Sequence, residues 1–319
     1  ESAEIGRKLK PVLSQIGTNE HIIRYLAGVE KRRFWDEGVQ PSEVATMAGA
    51  EAIRKAGIDK DRIGVLINSS VCKDFIEPSV AALVHGNLGL SPHCMNFDVG
   101  SACLGFLDAM LLAGNMIESG MIEYALIVDG ESSRDIVDTT VDRLLNANGT
   151  AVSQFRDNFA TLTLGSGAAA AILCRKDLAP NGHSYNGGFT YAATEHNRLC
   201  LGQRDGMITD SNGLLNAGLD TALKCYNMVM DKHGWRDKEV DEYVIHQISS
   251  VNTSKLINVL GLDEKKLYLT YPEYGNIGPA AIPITLHKAD EAGRLKKGDR
   301  IFLMGMASGI NCCVMEMIW

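Results

Sequence analysis

No apolar run in this 319-residue chain approaches the length of a bilayer-spanning helix, so the sequence reads as that of a soluble protein. Nor does it contain a dense stripe of lysine and arginine. The formal net charge is −8 and the basic cluster Glu30-Lys-Arg-Arg33 is short, which argues against nucleic acid as the main partner. The eight cysteines include no C-x-x-C pair, and Cys312 and Cys313 are adjacent, a pattern that suits neither a disulfide ladder nor a zinc site. Free thiols in this number point to a reducing compartment, most simply the cytoplasm. Glu195-His196, His85 and His93 lack the spacing of metal ligands, so no metal is expected. Gly165-Ser-Gly167 has neither the G-x-G-x-x-G spacing nor the lysine of a phosphate loop, so its likeness to one is superficial.

What is present is ordinary globular composition with one conspicuous thiol. In Asp98-Val-Gly-Ser-Ala-Cys103 an apolar stretch stops at small residues, and a long apolar helix over 102–118 follows. That helix carries Leu104, Phe106, Leu107, Met110, Leu111, Leu112, Met116 and Ile117 nearly all round, so it should be buried. A thiol at its amino end faces the positive pole of the helix, which favours the nucleophilic thiolate. The competing reading is an inert packed cysteine, since free cysteine is among the most buried residue types.

The chain is also written twice. Asp61-Arg-Ile-Gly-Val-Leu-Ile-Asn68 aligns with Glu239-Val-Asp-Glu-Tyr-Val-Ile-His246 at an offset of 178 residues, and Asp98-Val-Gly100 falls on Asn276-Ile-Gly278 at the same offset. Leu88-Gly-Leu90 instead matches Leu260-Gly-Leu262, so the first half carries six extra residues, placed near 71–79. Helices are predicted over 42–56, 79–88, 102–118, 215–232, 251–260 and 282–292. Strands are predicted over 63–68, 124–129, 168–174, 243–246, 301–305 and 311–317. A polar stretch, 177–188, separates the halves, which are taken as 1–178 and 179–319. Strands alternating with helices predict α/β sheets covered on both faces.

Aligning the halves brings Cys103, His246 and Asn276 to comparable strand ends and turns, where function collects in open α/β folds. Taken singly, a strand-end histidine bonded to backbone and a turn asparagine are unremarkable. In register across a duplicated fold, with Cys103, they read as a functional set.

The order Ala-Cys103-Leu-Gly-Phe, Val-Ile-His246-Gln, Gly-Asn276-Ile-Gly-Pro-Ala resembles the thiolase superfamily, and within it the ketoacyl synthase III branch with its Cys–His–Asn triad. The resemblance spans almost the whole chain and lacks only the family's first strand. It implies the thiolase fold, two pseudo-repeated α/β halves with mixed sheets in αβαβα layers. Asn68-Ser-Ser-Val71, Phe75-Ile-Glu-Pro-Ser79, Asp129-Gly-Glu131 and Ala193-Thr-Glu195 are closest to OleA-type long-chain acyl-CoA condensing enzymes. That likeness leans on Glu77, where synthases using malonyl thioesters usually have an apolar residue.

Joining two plain acyl thioesters needs a base for an α-proton, and a carboxylate buried in an acyl pocket, with its pKa raised, suits the task. The resemblance implies that Glu77 reaches the partner's site in a homodimer, and that backbone N–H groups of Cys103 and of Ser308-Gly309 form an oxyanion hole. It implies coenzyme A thioesters as substrates and no tightly bound cofactor. The family's tryptophan and arginine at the adenine of coenzyme A have no clear counterpart, which leaves Arg32, Arg33 and Arg204 as candidates. The implied reaction is non-decarboxylative Claisen condensation of two fatty acyl-CoA molecules to a 2-alkyl-3-oxoacyl product. A decarboxylating synthase III using malonyl-ACP, a plain thioester hydrolase and a non-catalytic partner subunit of a heterodimer are the alternatives.

Overall fold

The computed structural model describes residues 1–147, 151–203, 206–236 and 238–319. Its strands are β1 (Ile63–Asn68), β2 (Met95–Asp98), β3 (Tyr124–Glu131), β4 (Gly167–Cys174), β5 (Ser184–Ala192), β6 (Cys200–Gln203), β7 (Gly206–Thr209), β8 (Glu242–Ile245), β9 (Arg300–Ala307) and β10 (Asn311–Ile318). The helices are α1 (Ser2–Lys8), α2 (Lys10–Gln15), α3 (Ile22–Ala27), α4 (Pro41–Ala56), α5 (Val80–Leu88), α6 (Gly105–Glu118), α7 (Arg134–Leu145), α8 (Ala151–Asn158), α9 (Ser211–Lys232), α10 (Ser250–Leu260), α11 (Tyr271–Tyr274) and α12 (Ala281–Glu291). None is long and apolar enough to cross a membrane among the described residues.

Two mixed sheets carry the fold, ordered β2-β1-β3-β4 and β5-β10-β9-β8, with β6 and β7 as a separate hairpin. β1 runs parallel to both β2 and β3, and β4 closes that sheet antiparallel. In the second sheet β8 is parallel to β9, and β10 lies antiparallel to β9 and β5. Helices α6 and α12 lie between the sheets and touch both, whereas α4 and α5 cover the outside of one and α9 covers the other, with α10 packed on α9. The result is five layers. The central core joins Val65, Ile67 and Ile127 of one sheet to Leu107 and Met110 of α6, Ile282 of α12, and Leu303 and Met315 of the other sheet. Leu107, Ile67 and Ile127 have no exposed surface, but the all-round burial expected of α6 is not met: Leu112 is 44 % exposed, and Asn115 and Glu118 on the same helix are exposed too.

The repeat is visible in the strand registers. Ile67 pairs with Ile127 in the first half, and Ile245 with Met304 in the second, within one residue of the sequence offset. Val65 pairs with Met95, and its counterpart Tyr243 bridges Leu267, the position that the shortened spacing selects. The surplus lies in the β1–α5 connection, 69–79, against 246–249 between β8 and α10.

Several local expectations need correction. The helix expected over 42–56 starts at Pro41 behind a capping box of Gln40 and Glu43, and Ser42 hydrogen-bonds Asp74 through both its backbone N–H and its hydroxyl. The stretch 177–188 is not simply a polar linker, because β5 starts at Ser184. The first forty residues fold into α1–α3, which pack with α7, α8 and Leu162 into a separate apolar cluster around Leu9, Leu13 and Ile23.

Candidate active site

Cys103 sits not in α6 itself but in a single 3-10 turn, Ala102–Leu104, that leads into it. The preceding Ala102 has φ +45°, a left-handed conformation that costs an L-residue about 1–3 kcal/mol. Such strain at a non-glycine residue commonly marks a functional position, and it turns the chain sharply just before the sulfur. No residue type announced it, since alanine is not the residue that favours this region. Burial pushes the Cys103 thiol up to about 12, and the neighbouring Cys200, Glu131 and Asp129 act in the same direction. The thiolate expected from the helix terminus is therefore not the resting form. Desolvation outweighs the dipole, and the sulfur rests as a thiol.

The turn of Cys103 packs against β9 and against the Gly278–Ala280 turn that follows Asn276. His246 follows β8 directly and is tied to β9 by its backbone N–H, which donates to the Met304 carbonyl at 2.8 Å. Its imidazole is buried beside the Asn276 side chain, and its Nε2 has no hydrogen-bond partner among the described residues. Burial pulls the His246 pKa down to about 4, so the ring is neutral at pH 7. A buried, unpartnered ring nitrogen is costly unless something arrives to bond it.

Asn276 is held by three backbone contacts. Its N–H donates to the Thr163 carbonyl at 3.0 Å, its carbonyl accepts from Gly165 N–H at 2.9 Å, and its Oδ1 accepts from Gly278 N–H at 3.1 Å. Gly278 N–H occupies one lone pair of Oδ1, which leaves the amide N–H groups as the donors this side chain has to offer. Gly165 is needed for this crossing, because a Cβ there would lie 2.0 Å from the Tyr274 carbonyl oxygen. The glycine-rich run thus serves close backbone packing. Neutral imidazole and carboxamide side by side can both donate to one carbonyl oxygen, which is what an enolate or tetrahedral oxyanion requires.

The structure treats the other predicted residues unevenly. Ser308 and Gly309 form the β9–β10 turn next to the Cys103 turn, with Gly309 at φ +84°, and their N–H groups have no partner among the described residues. Glu77 is exposed on the 69–79 connection, flanked by Phe75 (54 % exposed) and Ile76 (89 %). The expected burial in an acyl pocket is not met within one protomer. Arg32 is no surface contact: it is 7 % exposed, its Nη2 donates to Ser2 Oγ at 2.9 Å, and burial lowers its pKa to about 10. Arg33 is exposed, its guanidinium 5.9 Å from the centre of the Tyr274 ring. Arg204 lies outside the described residues.

Two groups escaped notice as site residues. Asp129 and Glu131 are buried at the carboxyl end of β3, and burial pushes both carboxyls well above the ordinary range. A cavity of about 40 Å³ opens beside His246 between α9, α10 and β9, lined by Leu215, Leu219, Leu256, Met304 and Met306. A second, more polar one of about 250 Å³ lies by Ser101, Leu104 and Asp108. No group of three or more His, Cys, Asp or Glu side chains is arranged to hold a metal among the described residues.

Residues 97–185 match the 3-oxoacyl-[acyl-carrier-protein (ACP)] synthase III family, and residues 230–319 match the C-terminal domain of the same family. The chain is 44% identical, over 318 residues covering all of it and 94% of the relative, to an acyl-CoA:acyl-CoA alkyltransferase of Xanthomonas campestris pv. campestris. It is 33% identical over 330 residues to the enzyme of that name from Shewanella oneidensis, covering all of this chain and 94% of that one. A solved structure of a cysteine-to-serine variant of Xanthomonas campestris OleA with bound lauric acid and lauroyl-CoA superposes with a TM-score of 0.96, at 44% identity, covering all of this chain and 94% of that one. Other solved variants of that protein alter a glutamate or a histidine.

Proposed function

The chain belongs to the ketoacyl synthase III family of the thiolase superfamily, and on that premise we propose that it joins two fatty acyl-CoA molecules by non-decarboxylative Claisen condensation. One observation carries the reading. The glutamate, cysteine and histidine altered in the OleA variants are spaced along that protein as Glu77, Cys103 and His246 are spaced here, to within one residue. The bound lauroyl-CoA of that relative supports coenzyme A thioesters as the substrate class.

In the first half-reaction the Cys103 sulfur attacks the carbonyl carbon of one acyl-CoA. The bond from that carbon to the coenzyme A sulfur breaks, and the departing thiolate takes up the thiol proton. The backbone N–H groups of Cys103, Ser308 and Gly309 receive the transient oxyanion. Because Cys103 rests protonated, proton loss belongs to the attack itself. In the second half-reaction the carbonyl oxygen of another acyl-CoA accepts hydrogen bonds from His246 Nε2 and the Asn276 amide, which acidifies its α-carbon. Glu77 of the neighbouring subunit takes the α-proton, the carbanion attacks the acyl-Cys103 carbonyl, and the cysteine leaves and recovers a proton. A 2-alkyl-3-oxoacyl-CoA results, and hydrolysis gives the β-keto acid. The cavity beside His246 is lined by apolar side chains, the surroundings an acyl group needs.

A homodimer fits the exposed Glu77 segment, whose Phe75 and Ile76 lie bare in the single chain. The outer edge of the first sheet fits it too. β4, Gly-Ala-Ala-Ala-Ala-Ile-Leu-Cys, is half-buried along its whole length and carries no charge or proline to blunt its edge.

The test is incubation with one saturated long-chain acyl-CoA and mass spectrometry of protein and products. The expected outcome is an acyl adduct on Cys103 and a β-keto acid of doubled chain, both lost in Cys103→Ala. Free fatty acid alone would indicate a hydrolase and refute condensation. Product formed only when a malonyl thioester is added, with release of carbon dioxide, would establish the decarboxylating alternative.

A further inference from the structure

We propose that Glu131 is the positioning residue of the condensation's base: by holding the backbone of Val71 and Cys72 it sets where Glu77 stands in the neighbouring subunit's site. This rests on the reading above, in which Glu77 crosses between subunits.

The argument starts at the end of β1. Three successive anchors fasten the chain leaving that strand to the end of β3. Ser69 Oγ donates to the Asp129 carboxylate, Gly130 N–H donates to Ser70 Oγ at 2.8 Å, and Glu131 then takes two consecutive backbone groups. Val71 N–H donates to Glu131 Oε1 at 2.6 Å and Cys72 N–H to Oε2 at 3.3 Å. Beyond this clasp Lys73 pairs with Asp98 at 2.7 Å and Asp74 is buried against Ser42, and only then does the chain emerge at Phe75, Ile76 and Glu77. The exposed tip therefore gets its direction from the buried base.

Glu131 is an expensive way to hold a loop. It is 4 % exposed and shares its surroundings with the carboxylate of Asp129, whose pKa is raised by burial and by Glu131 itself. Burial also raises Glu131, against the Cys72 and Val71 groups that pull it down. Two consecutive N–H groups held by the two oxygens of one carboxyl group fix the chain at two points, which gives the clasp its stiffness. Glu131 also lies within van der Waals reach of Gly278, where a Cβ would come 3.4 Å from its Cδ, so it abuts the turn that orients Asn276. That contact is one of van der Waals packing only. The direct hydrogen bonds go to the Glu77 segment, which is why the role is assigned there.

The experiment uses Glu131→Gln, which sets an amide donor against one of the two N–H groups, and Glu131→Asp, which keeps the charge but shortens the reach. Condensation of a long-chain acyl-CoA should fall about 100-fold in Glu131→Gln, the size of a 1 Å misplacement of a reacting group. Release of the first equivalent of coenzyme A needs Cys103 and not Glu77, and Glu131 bears on it only through its push on the Cys103 thiol, so it should fall at least about 10-fold less than condensation does. Partial recovery in Glu131→Asp is expected, as for a group acting through its two carboxyl oxygens.

Mixed dimers then separate the routes. In a Cys103→Ala/Glu131→Gln heterodimer, the intact Cys103 belongs to the altered-clasp subunit but receives Glu77 from the subunit whose Glu131 is native. About half the wild-type rate per dimer should return, one competent site of the two. Failure of this dimer while a Cys103→Ala/Glu77→Gln dimer recovers activity would overturn the proposal, and Glu131 would act on its own subunit's site. Failure of both would show that the base does not cross, which overturns the reading beneath the proposal and the proposal with it. Equal loss of the first coenzyme A release and of condensation would also refute it.

Discussion

Replacing Gly165 by alanine should disable the site while leaving every side chain named in the mechanism in place. The added Cβ would sit 2.0 Å from the Tyr274 carbonyl oxygen, with Ile277 Cγ2 at 3.2 Å and Arg32 Cβ at 3.3 Å closing the other directions. Ordinary contact distances are about 3.5 Å, so the segment 163–165 must part from 274–276 by roughly 1 Å or more. Two hydrogen bonds join those segments, Gly165 N–H to the Asn276 carbonyl and Asn276 N–H to the Thr163 carbonyl. Stretching them costs about 1 kcal/mol each, and the overpacking adds about 1–3 kcal/mol. A loss of about 4 kcal/mol corresponds to a Tm lower by roughly 6 °C in a protein of this size. Displacing the Asn276 amide by the same distance should slow condensation about 100-fold.

The assays are thermal unfolding and steady-state coenzyme A release from a long-chain acyl-CoA. Gly86→Ala is the control: the site lies in α5 with nothing within 4 Å of a new Cβ, so helix propensity alone should stabilise it by about 0.5–1 kcal/mol at unchanged rate. A Gly165→Ala protein melting within about 2 °C of the parent at native turnover would refute the packing argument.

Glu77→Gln should still take an acyl group onto Cys103, while β-keto acid formation falls at least about 100-fold, the scale of a lost general base; mass spectrometry of intact protein and of products reads both, and normal condensation would end the assignment of the base. His246 is held neutral by burial with its pKa near 4, below its unfolded value, so the folded state binds fewer protons between pH 6.5 and pH 4. Its contribution to stability is complete above that window and is lost as pH falls through it. Relative to His246→Asn, the wild type should lose about 3 kcal/mol of unfolding free energy between pH 7 and pH 4, measured by denaturant titration at each pH, and a constant difference would contradict the burial.

Legibility in the sequence followed the range of the interactions. β1 and α6 were readable because β-branched runs and all-round apolar helices are local patterns, and Gly57, Gly89 and Gly261 end their helices in the left-handed conformation that glycine favours. The repeat made the triad visible, since equal spacing in two halves translates into equal register in two sheets. Residues whose meaning depends on distant neighbours were not readable. Nothing in the cluster around Arg32 announces that Ser2 will cover it, or that Cys103 will be too deeply enclosed to rest as a thiolate. Glu131 looked like part of a motif, but its partners, Val71 and Cys72, lie sixty residues earlier and contribute only backbone. α1–α3 are short and lean on α7 and α8 for their apolar cover, so their periodicity alone was weak.

The unequal connections after β1 and β8 have a consequence for how a doubled architecture divides labour. A perfectly symmetric molecule would offer two equivalent corners and no reason for either to specialise. Here the brief link, 246–249, keeps the imidazole against the strand it follows, whereas the long one, 69–79, is fastened along most of its length and bares only its tip, Phe75 to Glu77. Lengthening a single bend thus gives one copy a fixed anvil and the other an outstretched finger, which on the proposed reading is lent to a neighbour.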